Sequence, residues 1–258
     1  MSGRLQDKIA IITGAGRGIG AQTARRFLEE GARVAIAELN PESGEATAAA
    51  LRTEGYEAIA VQTDVSDHGS VRRMVATVAG VLGPPNVLIN NAGINVFRDP
   101  LKLTDEDWRK CFAVNLDGMW YCTREVLPHM LAHGGGSIVN IASVHALQII
   151  PGCFPYPVAK HAVVGLTKAL AIEYASRNVR MNAICPGYVE TQITIDYWNT
   201  HPDPESQRLY AYNLHPPKRI GTADEIAMTV VFLASDEARF INGAIVVVDG
   251  GRSILYHD

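Results

Sequence analysis

Tyr156 and Lys160 stand four residues apart in the run Tyr156-Pro157-Val158-Ala159-Lys160. On a helix this spacing brings both side chains out on one face, within reach of each other. A free phenol titrates near pH ~10 and is a poor base at neutral pH. A cation held beside it favours the phenolate and moves the pair toward acid–base work. By itself the spacing is a common coincidence. Its weight comes from Asn115 and Ser143 upstream and from a glycine-rich turn near the N-terminus.

The elements that would hold these groups alternate along the chain. Lys8–Thr13 is a short apolar run ending in glycines, as expected of a buried parallel strand. Residues 19–30 carry helical periodicity and stop at Gly31. Arg33–Ala37 reads as a second strand, followed by Asn40-Pro41, an N-cap with proline at the first helical position, and a helix ending near Gly55. Further strands are expected near 58–62, 86–90, 137–142, 179–184 and 244–248, with helices near 67–82, 104–132, 157–176 and 222–235. Thr104 and Thr222 precede acidic residues in the manner of helix starts. This alternation predicts an α/β fold, a doubly wound parallel sheet of Rossmann-like type with helices on both faces, as a single three-layer domain over 1–258. Residues 191–221 read as irregular, and a stretch of that length inside a compact domain suggests a lid or binding segment.

The turn Thr13-Gly14-Ala15-Gly16-Arg17-Gly18-Ile19-Gly20 lies between the first strand and the first helix. Glycines there allow a tight turn and close approach of the backbone to a pyrophosphate at the helix N-terminus. Glu38 falls about twenty residues on, where a carboxylate accepts hydrogen bonds from an adenosine ribose and repels a 2′-phosphate, favouring NAD. Arg17 pulls the other way and leaves NADP possible. Asp64-Val65 after the third strand suits an adenine edge, and Asn90-Asn91-Ala92-Gly93 after the fourth lines the crevice. Pro155 and Pro157 flank Tyr156, which places it at the entrance of its helix.

Taken in order, Thr13-Gly14-x-x-x-Gly18-x-Gly20, Asp64, Asn90-Asn91-Ala92-Gly93, Asn115, Ser143, Tyr156-x-x-x-Lys160 and Pro186-Gly187 with Thr191 resemble the single-domain short-chain dehydrogenase/reductase family, from about residue 6 to residue 251. The resemblance implies that Tyr156 is the acid–base and that Lys160 binds the nicotinamide ribose and lowers the phenol pKa. It implies that Ser143 bonds the substrate oxygen and that Asn115 supports a water linked to Lys160. Pro186, Gly187, Val189 and Thr191 would place the nicotinamide. It also implies a homotetramer, with the helices near 104–132 and 157–176 in a dimer contact. The residues left open other readings: Ser143 as a helix cap, Asn115 as a buried amide satisfied by backbone, Tyr156 as an interface aromatic.

For the substrate, the candidates are Asn95, His145, Phe154, Gln192 and Trp198, within a wider polar and aromatic set that includes Phe97, Arg98, Tyr188, Glu190, Tyr197, Asn199 and His215. Convergent hydrogen-bonding groups suit a compact polar ligand. The end Asp249-Gly250-Gly251-Arg252-Ser253-Ile254-Leu255-Tyr256 resembles those of sugar 1-dehydrogenases in the family. The expected reaction is NAD-dependent oxidation of an aldose C1 hydroxyl. The alternative is a 3-oxoacyl-carrier-protein reductase using NADPH, which would require a basic docking patch. A non-catalytic dinucleotide-sensing scaffold is a remote third reading.

Bulk properties narrow the partners. A formal charge of −4 and no Lys/Arg block argue against a nucleic-acid footprint. No segment approaches the ~18 apolar residues of a membrane span, and the N-terminus does not read as a signal peptide, so a soluble, cytoplasmic protein is expected. Cys111, Cys122, Cys153 and Cys185 lack metal-site spacing and read as reduced thiols. His129 and His133, an i, i+4 pair, lie before Gly134 with no acidic third ligand nearby, so no metal site is expected.

Overall fold

A computed structural model describes residues 3–256. In chain order it contains β1 (Ile9–Thr13), α1 (Gly18–Glu29), β2 (Arg33–Glu38), α2 (Pro41–Thr53), β3 (Ala58–Gln62), α3 (His68–Val81), β4 (Val87–Asn90), α4 (Asp105–Phe112), α5 (Gly118–Ala132), β5 (Gly136–Ile141), α6 (Tyr156–Tyr174), β6 (Val179–Pro186), β7 (Val189–Glu190), α7 (Gln192–Trp198), α8 (Pro204–Asn213), β8 (Gly221–Thr222), α9 (Ala223–Ala234) and β9 (Ile245–Val248). Seven strands form one parallel sheet in the order β3-β2-β1-β4-β5-β6-β9, and β7 pairs with β8 in a small parallel ribbon. The strands are near-continuous apolar runs because both faces are covered. One core joins α1, α2 and α9 to one face through Phe27, Leu51 and Val230, among others. The second core packs α3 and α5 on the other face, through Met74, Val78, Val126 and Met130.

Strand order reverses between β1 and β4, whose register pairs Ala10 with Val87 and Ile12 with Ile89. Outside the carboxyl ends of these strands a parallel sheet leaves a crevice for a ligand. A buried polar chain crosses the middle of the sheet behind it. Asn90 Nδ2 donates to Asn140 Oδ1 at 2.8 Å and to Thr123 Oγ1 at 3.2 Å, and Asn140 Nδ2 donates to Thr167 Oγ1 at 2.9 Å. The chain ties β4 and β5 to α5 and α6 in one arrangement.

Two differences from the sequence expectation bear on function. The helix expected over 104–132 is α4 and α5 joined by a π turn at Ala113–Asp117, where the Gly118 N–H donates to the Ala113 carbonyl, five residues back. The stretch 191–221, expected to be irregular, holds α7 and α8 between the short strands. Asp203 caps α8 by accepting from Ser206 N at 3.0 Å, with Pro204 at the first position. This flap has an apolar cluster of its own: Trp198, Ala211 and Ile220, with Tyr188 and Tyr212 against them. The cysteines are unbridged; Cys111, Cys122 and Cys185 are buried and Cys153 is partly so.

Candidate active site

The chain leaves β1 through Gly14, whose φ of 62° lies in the left-handed region and whose Cβ, if present, would stand 2.9 Å from Ala92 Cα. A Cβ at Gly20 would meet the Gly14 carbonyl oxygen at 2.4 Å and Asn91 Nδ2 at 2.6 Å. Thr13 Oγ1 accepts from the backbone N–H of Asn91 and of Ala92, each at 3.0 Å, and Asn91 Nδ2 donates to the carbonyls of Thr13 (2.8 Å) and Gly14 (3.0 Å). The Asn91–Gly93 segment is thus stitched to the turn. Arg17 caps α1 without any side-chain bond, and no acidic residue occupies the first turn. The N–H groups of Gly18, Ile19 and Gly20 are therefore left for an anionic ligand.

Glu38 ends β2 with Oε2 accepting from Gly16 N at 3.0 Å, so its carboxylate lies against the turn. Arg17, in the same turn, is exposed. Asp64 Oδ1 accepts from Ser66 N and Oγ at 2.9 and 2.6 Å, bending the chain so that Val65 seats on Gly118 of α5. Pro186 ends β6, and Gly187 N donates to the Val248 carbonyl at 3.0 Å. Val189 follows, buried, and its carbonyl accepts from Thr194 Oγ1 at 2.7 Å. The nearest side-chain atom to a Cβ built on Gly18 is the Thr191 methyl, at 3.6 Å, so the flap's root faces the glycine turn. These residues form a cradle suited to a dinucleotide: free helix N–H groups at its centre, the Glu38 carboxylate at its border, and a turn packed so closely that Cβ atoms at Gly14 and Gly20 would collide with the chain itself.

The reacting groups lie where β4, β5 and β6 end. Ser143, two residues beyond β5, is 7% exposed, and its Oγ accepts from His145 N at 3.1 Å. Tyr156 is the first residue of α6, with Pro155 at the cap and Pro157 next in the helix. It is braced from the neighbouring loop: Arg98 N donates to the Phe154 carbonyl at 2.7 Å, and the Phe97 ring meets the phenol ring edge-on at 5.7 Å. Lys160, one turn on, is 3% exposed; its Nζ donates to the Ile141 carbonyl at 2.9 Å and lies 5.5 Å from the Tyr156 ring centroid. Asn115 sits in the π turn, with Nδ2 donating to the carbonyls of Ile94 (3.0 Å) and Cys111 (2.9 Å) and Oδ1 accepting from Ile94 N at 3.2 Å. Its amide is thus satisfied by backbone. The space above Gly93 lies between Asn115 Oδ1 and Lys160 Nζ, 3.0 and 3.6 Å from a Cβ built there.

Burial governs the titration of this pair. It pushes the Tyr156 phenol up to about 12, while the hydrogen bond shared with Ser143 works the other way. Burial also pushes Lys160 down to about 8. Burial outweighs the hydrogen bond from Ser143, so the net direction of the phenol is upward, opposite to the expected lowering. At pH 7 the lysine remains mostly protonated and the phenol neutral, a state suited to donating a proton to a developing alkoxide. In the oxidising direction, the same logic requires added positive charge beside Tyr156, as an oxidised nicotinamide carries.

The family model described as enoyl-(acyl carrier protein) reductase matches residues 14–253. The chain is 42% identical to the meso-2,3-butanediol dehydrogenase of Serratia marcescens, over 97% of this chain and 96% of that one. The chain belongs to the short-chain dehydrogenase/reductase family. Its fold matches the ligand-free aldohexose dehydrogenase of Thermoplasma acidophilum with a TM-score of 0.90, at 36% identity over 99% of this chain and 98% of that one. It also matches a Beutenbergia cavernae protein described as a candidate NAD(P)-dependent gluconate 5-dehydrogenase, which has NADP bound at low occupancy. There the TM-score is 0.90 at 35% identity, over 97% of this chain and 98% of that one. This short-chain dehydrogenase is an NAD(P)-dependent oxidoreductase acting on CH–OH donors.

The expected substrate residues divide. His145 meets the Tyr156 ring edge-on at 5.9 Å. Asn95 is exposed on the loop beside Phe97. Phe154 turns toward Trp108, with ring centroids 6.0 Å apart. Gln192 is exposed and donates to Asp196 Oδ1 at 2.8 Å, a pair along the outside of α7. Trp198, 5% exposed, packs inside the flap. The structure thus corrects Trp198, which holds the flap together instead of facing a ligand. Sequence reasoning missed Arg252. It follows two glycines after β9, and the Gln148 side chain donates to the Ser253 carbonyl, docking this turn beside His145. An arginine just beyond a strand end was the available signal. Elsewhere, the His133 ring is bonded to the His129 carbonyl at 2.8 Å. No helix of the described residues is long and apolar enough to cross a membrane.

Proposed function

We propose that this short-chain dehydrogenase uses NAD to oxidise a secondary hydroxyl of a compact polyhydroxylated substrate, with the C1 hydroxyl of an aldose as first candidate. The observation that carries the reading is the convergence of Ser143, Tyr156 and Lys160 at the carboxyl edge of the sheet, beside a cradle that Glu38 borders. NAD(P), when bound, accepts the hydride. Tyr156 holds or takes the hydroxyl proton, Ser143 orients the oxygen, and Lys160 supplies the positive charge that favours a phenolate. Asn115 fixes the π turn beside Lys160. The Glu38 carboxylate supports NAD, since a 2′-phosphate near it would be repelled. His145 beside the Tyr156 ring and the sugar-directed names among the structural neighbours favour a polyhydroxylated ligand. The whole chain acts as one dinucleotide-binding domain, with 191–221 closing over the substrate in the cytoplasm. Ile172 and Phe240, exposed on the surface, are consistent with a homotetramer.

The test is reduction of NAD and of NADP over aldoses, polyols, hydroxysteroids and hydroxyacyl thioesters. Turnover of aldoses or polyols with a preference for NAD is expected. Turnover confined to thioesters with NADPH would overturn the reading in favour of a carrier-protein reductase.

A further inference from the structure

Three segments meet beside Tyr156: the loop after β5, the end of the flap, and the turn after β9. Each contributes a buried polar atom without a partner: His145 Nδ1, His215 Nε2 and Arg252 Nη1. A buried polar atom left unpaired is expensive, so three in one place point to a ligand that satisfies them. Arg252 forms no side-chain hydrogen bond or ion pair with any described residue. The acid nearest in sequence, Asp249, is spent on backbone: Oδ1 accepts from Gly251 N at 2.9 Å and Oδ2 from Ser253 N at 2.7 Å. The guanidinium lies over the Tyr188 ring, 5.5 Å from its centroid, and Tyr188 meets His215 edge-on at 5.8 Å. Its charge is felt at His145 and at His215, both already held below their usual range by burial and therefore neutral.

The hydrogen-bonding polarity of the cluster is specific. His215, 2% exposed, donates from Nδ1 to the Ala211 carbonyl at 2.7 Å. A neutral imidazole that donates from one nitrogen accepts at the other, so Nε2 requires a donor such as a hydroxyl. Arg252 requires the opposite: an acceptor, best an anion that its planar fork can grip. One cation with two neutral rings matches a monoanion; a phosphate dianion would leave charge unbalanced.

We infer that the substrate is a sugar acid, whose carboxylate pairs with Arg252 and one of whose hydroxyls donates to His215 Nε2, while the hydroxyl presented to Tyr156 is oxidised. The inference rests on the dehydrogenase reading and narrows it. In the reaction a C–H and an O–H bond break and a C=O forms. The hydride, with both electrons, goes to NAD, giving NADH, and the proton goes to Tyr156 in its phenolate form, which then releases it to solvent. His145 and Arg252 are partly exposed and His215 is buried, so the cluster is open to a ligand on one side.

The experiment compares the wild-type enzyme on matched pairs: aldoses against uronic acids of the same stereochemistry, and alditols against aldonic acids. A kcat/KM at least ~10-fold higher for the acids is expected. Arg252→Met should lower that acid preference by roughly 10- to 100-fold, the range for a lost charged hydrogen bond, mostly through KM, with Arg252→Lys restoring part of it. Equal or greater turnover of the neutral sugars, with the ratio unmoved in Arg252→Met, would overturn the inference and leave the dehydrogenase reading standing. Failure of every sugar and sugar acid to reduce NAD or NADP would overturn both.

Discussion

Lys160 offers a direct physical test of the site through Lys160→Met, which keeps the unbranched stem, one atom shorter, and removes the charge. Burial lowers the lysine from 10.5 to about 8. Between those values the unfolded chain binds more protons at this position than the folded one, so stability rises with pH there. Below pH 8 the full penalty applies, and above pH 10.5 it has vanished. At ~1.4 kcal/mol per pH unit, the window corresponds to about 3 kcal/mol. The substitution would also leave the Ile141 carbonyl without its donor, an offset of about 1–3 kcal/mol that does not vary with pH. The reading is therefore the gap between wild type and variant, measured by urea or thermal unfolding from about pH 7 to 10.5. That gap should move by about 3 kcal/mol in favour of the wild type, or roughly 6–12 °C in Tm for a chain of this length. A gap that stays constant across the window would show that Lys160 is not held at a lowered pKa, and the electrostatic account of the pair would fail with it.

Tyr156→Phe should reduce kcat by about 10²- to 10⁴-fold, the usual range for a lost acid–base, with NAD affinity retained in a fluorescence titration. Near-normal turnover in that variant would remove Tyr156 from its role. Gly20→Ala forces a methyl against the Gly14 carbonyl and Asn91, so weaker NAD binding by at least ~10-fold is expected, with about 1–3 kcal/mol lost in unfolding from overpacking. Asn140→Leu breaks the buried chain between Asn90 and Thr167, and urea unfolding should register a loss of about 1–3 kcal/mol. Thr222→Ala removes the capping box of α9, in which Thr222 Oγ1 accepts from Glu225 N and Glu225 accepts from Thr222 N. Its expected effect is about 1 kcal/mol with kcat unchanged.

The parallel sheet was readable because its strands are continuous apolar runs punctuated by glycines, and α9 because Thr222, Asp224 and Glu225 announce its start. The strand expected at 58–62 has those bounds in the structure, and Tyr156 does open its helix, as its two prolines required. The π turn was hidden because one extra residue barely disturbs a hydrophobic pattern that runs on through α4 and α5. The flap helices were obscured by aromatic and polar composition, although Asp203-Pro204 carried the signature of a helix start. Arg252 and His215 were illegible as a pair: the whole of α9 and β9 separates them in sequence, and only the turn at Gly250-Gly251 brings them together. Sequence shows which residues can do chemistry more readily than which ones a tertiary fold leaves without partners.

The π turn at Ala113–Asp117 has a consequence for how this helix tolerates change in length. One residue more than an α turn rotates everything after it by about 100°. Deleting a single residue from that segment would yield a straighter rod with ordinary hydrogen bonding, yet would swing Asn115 away from Ile94 or turn α5 off its face on the sheet. A length change that improves the local helix would thus dismantle the floor beneath Lys160. The register of this helix, more than its helicity, is what the site depends on.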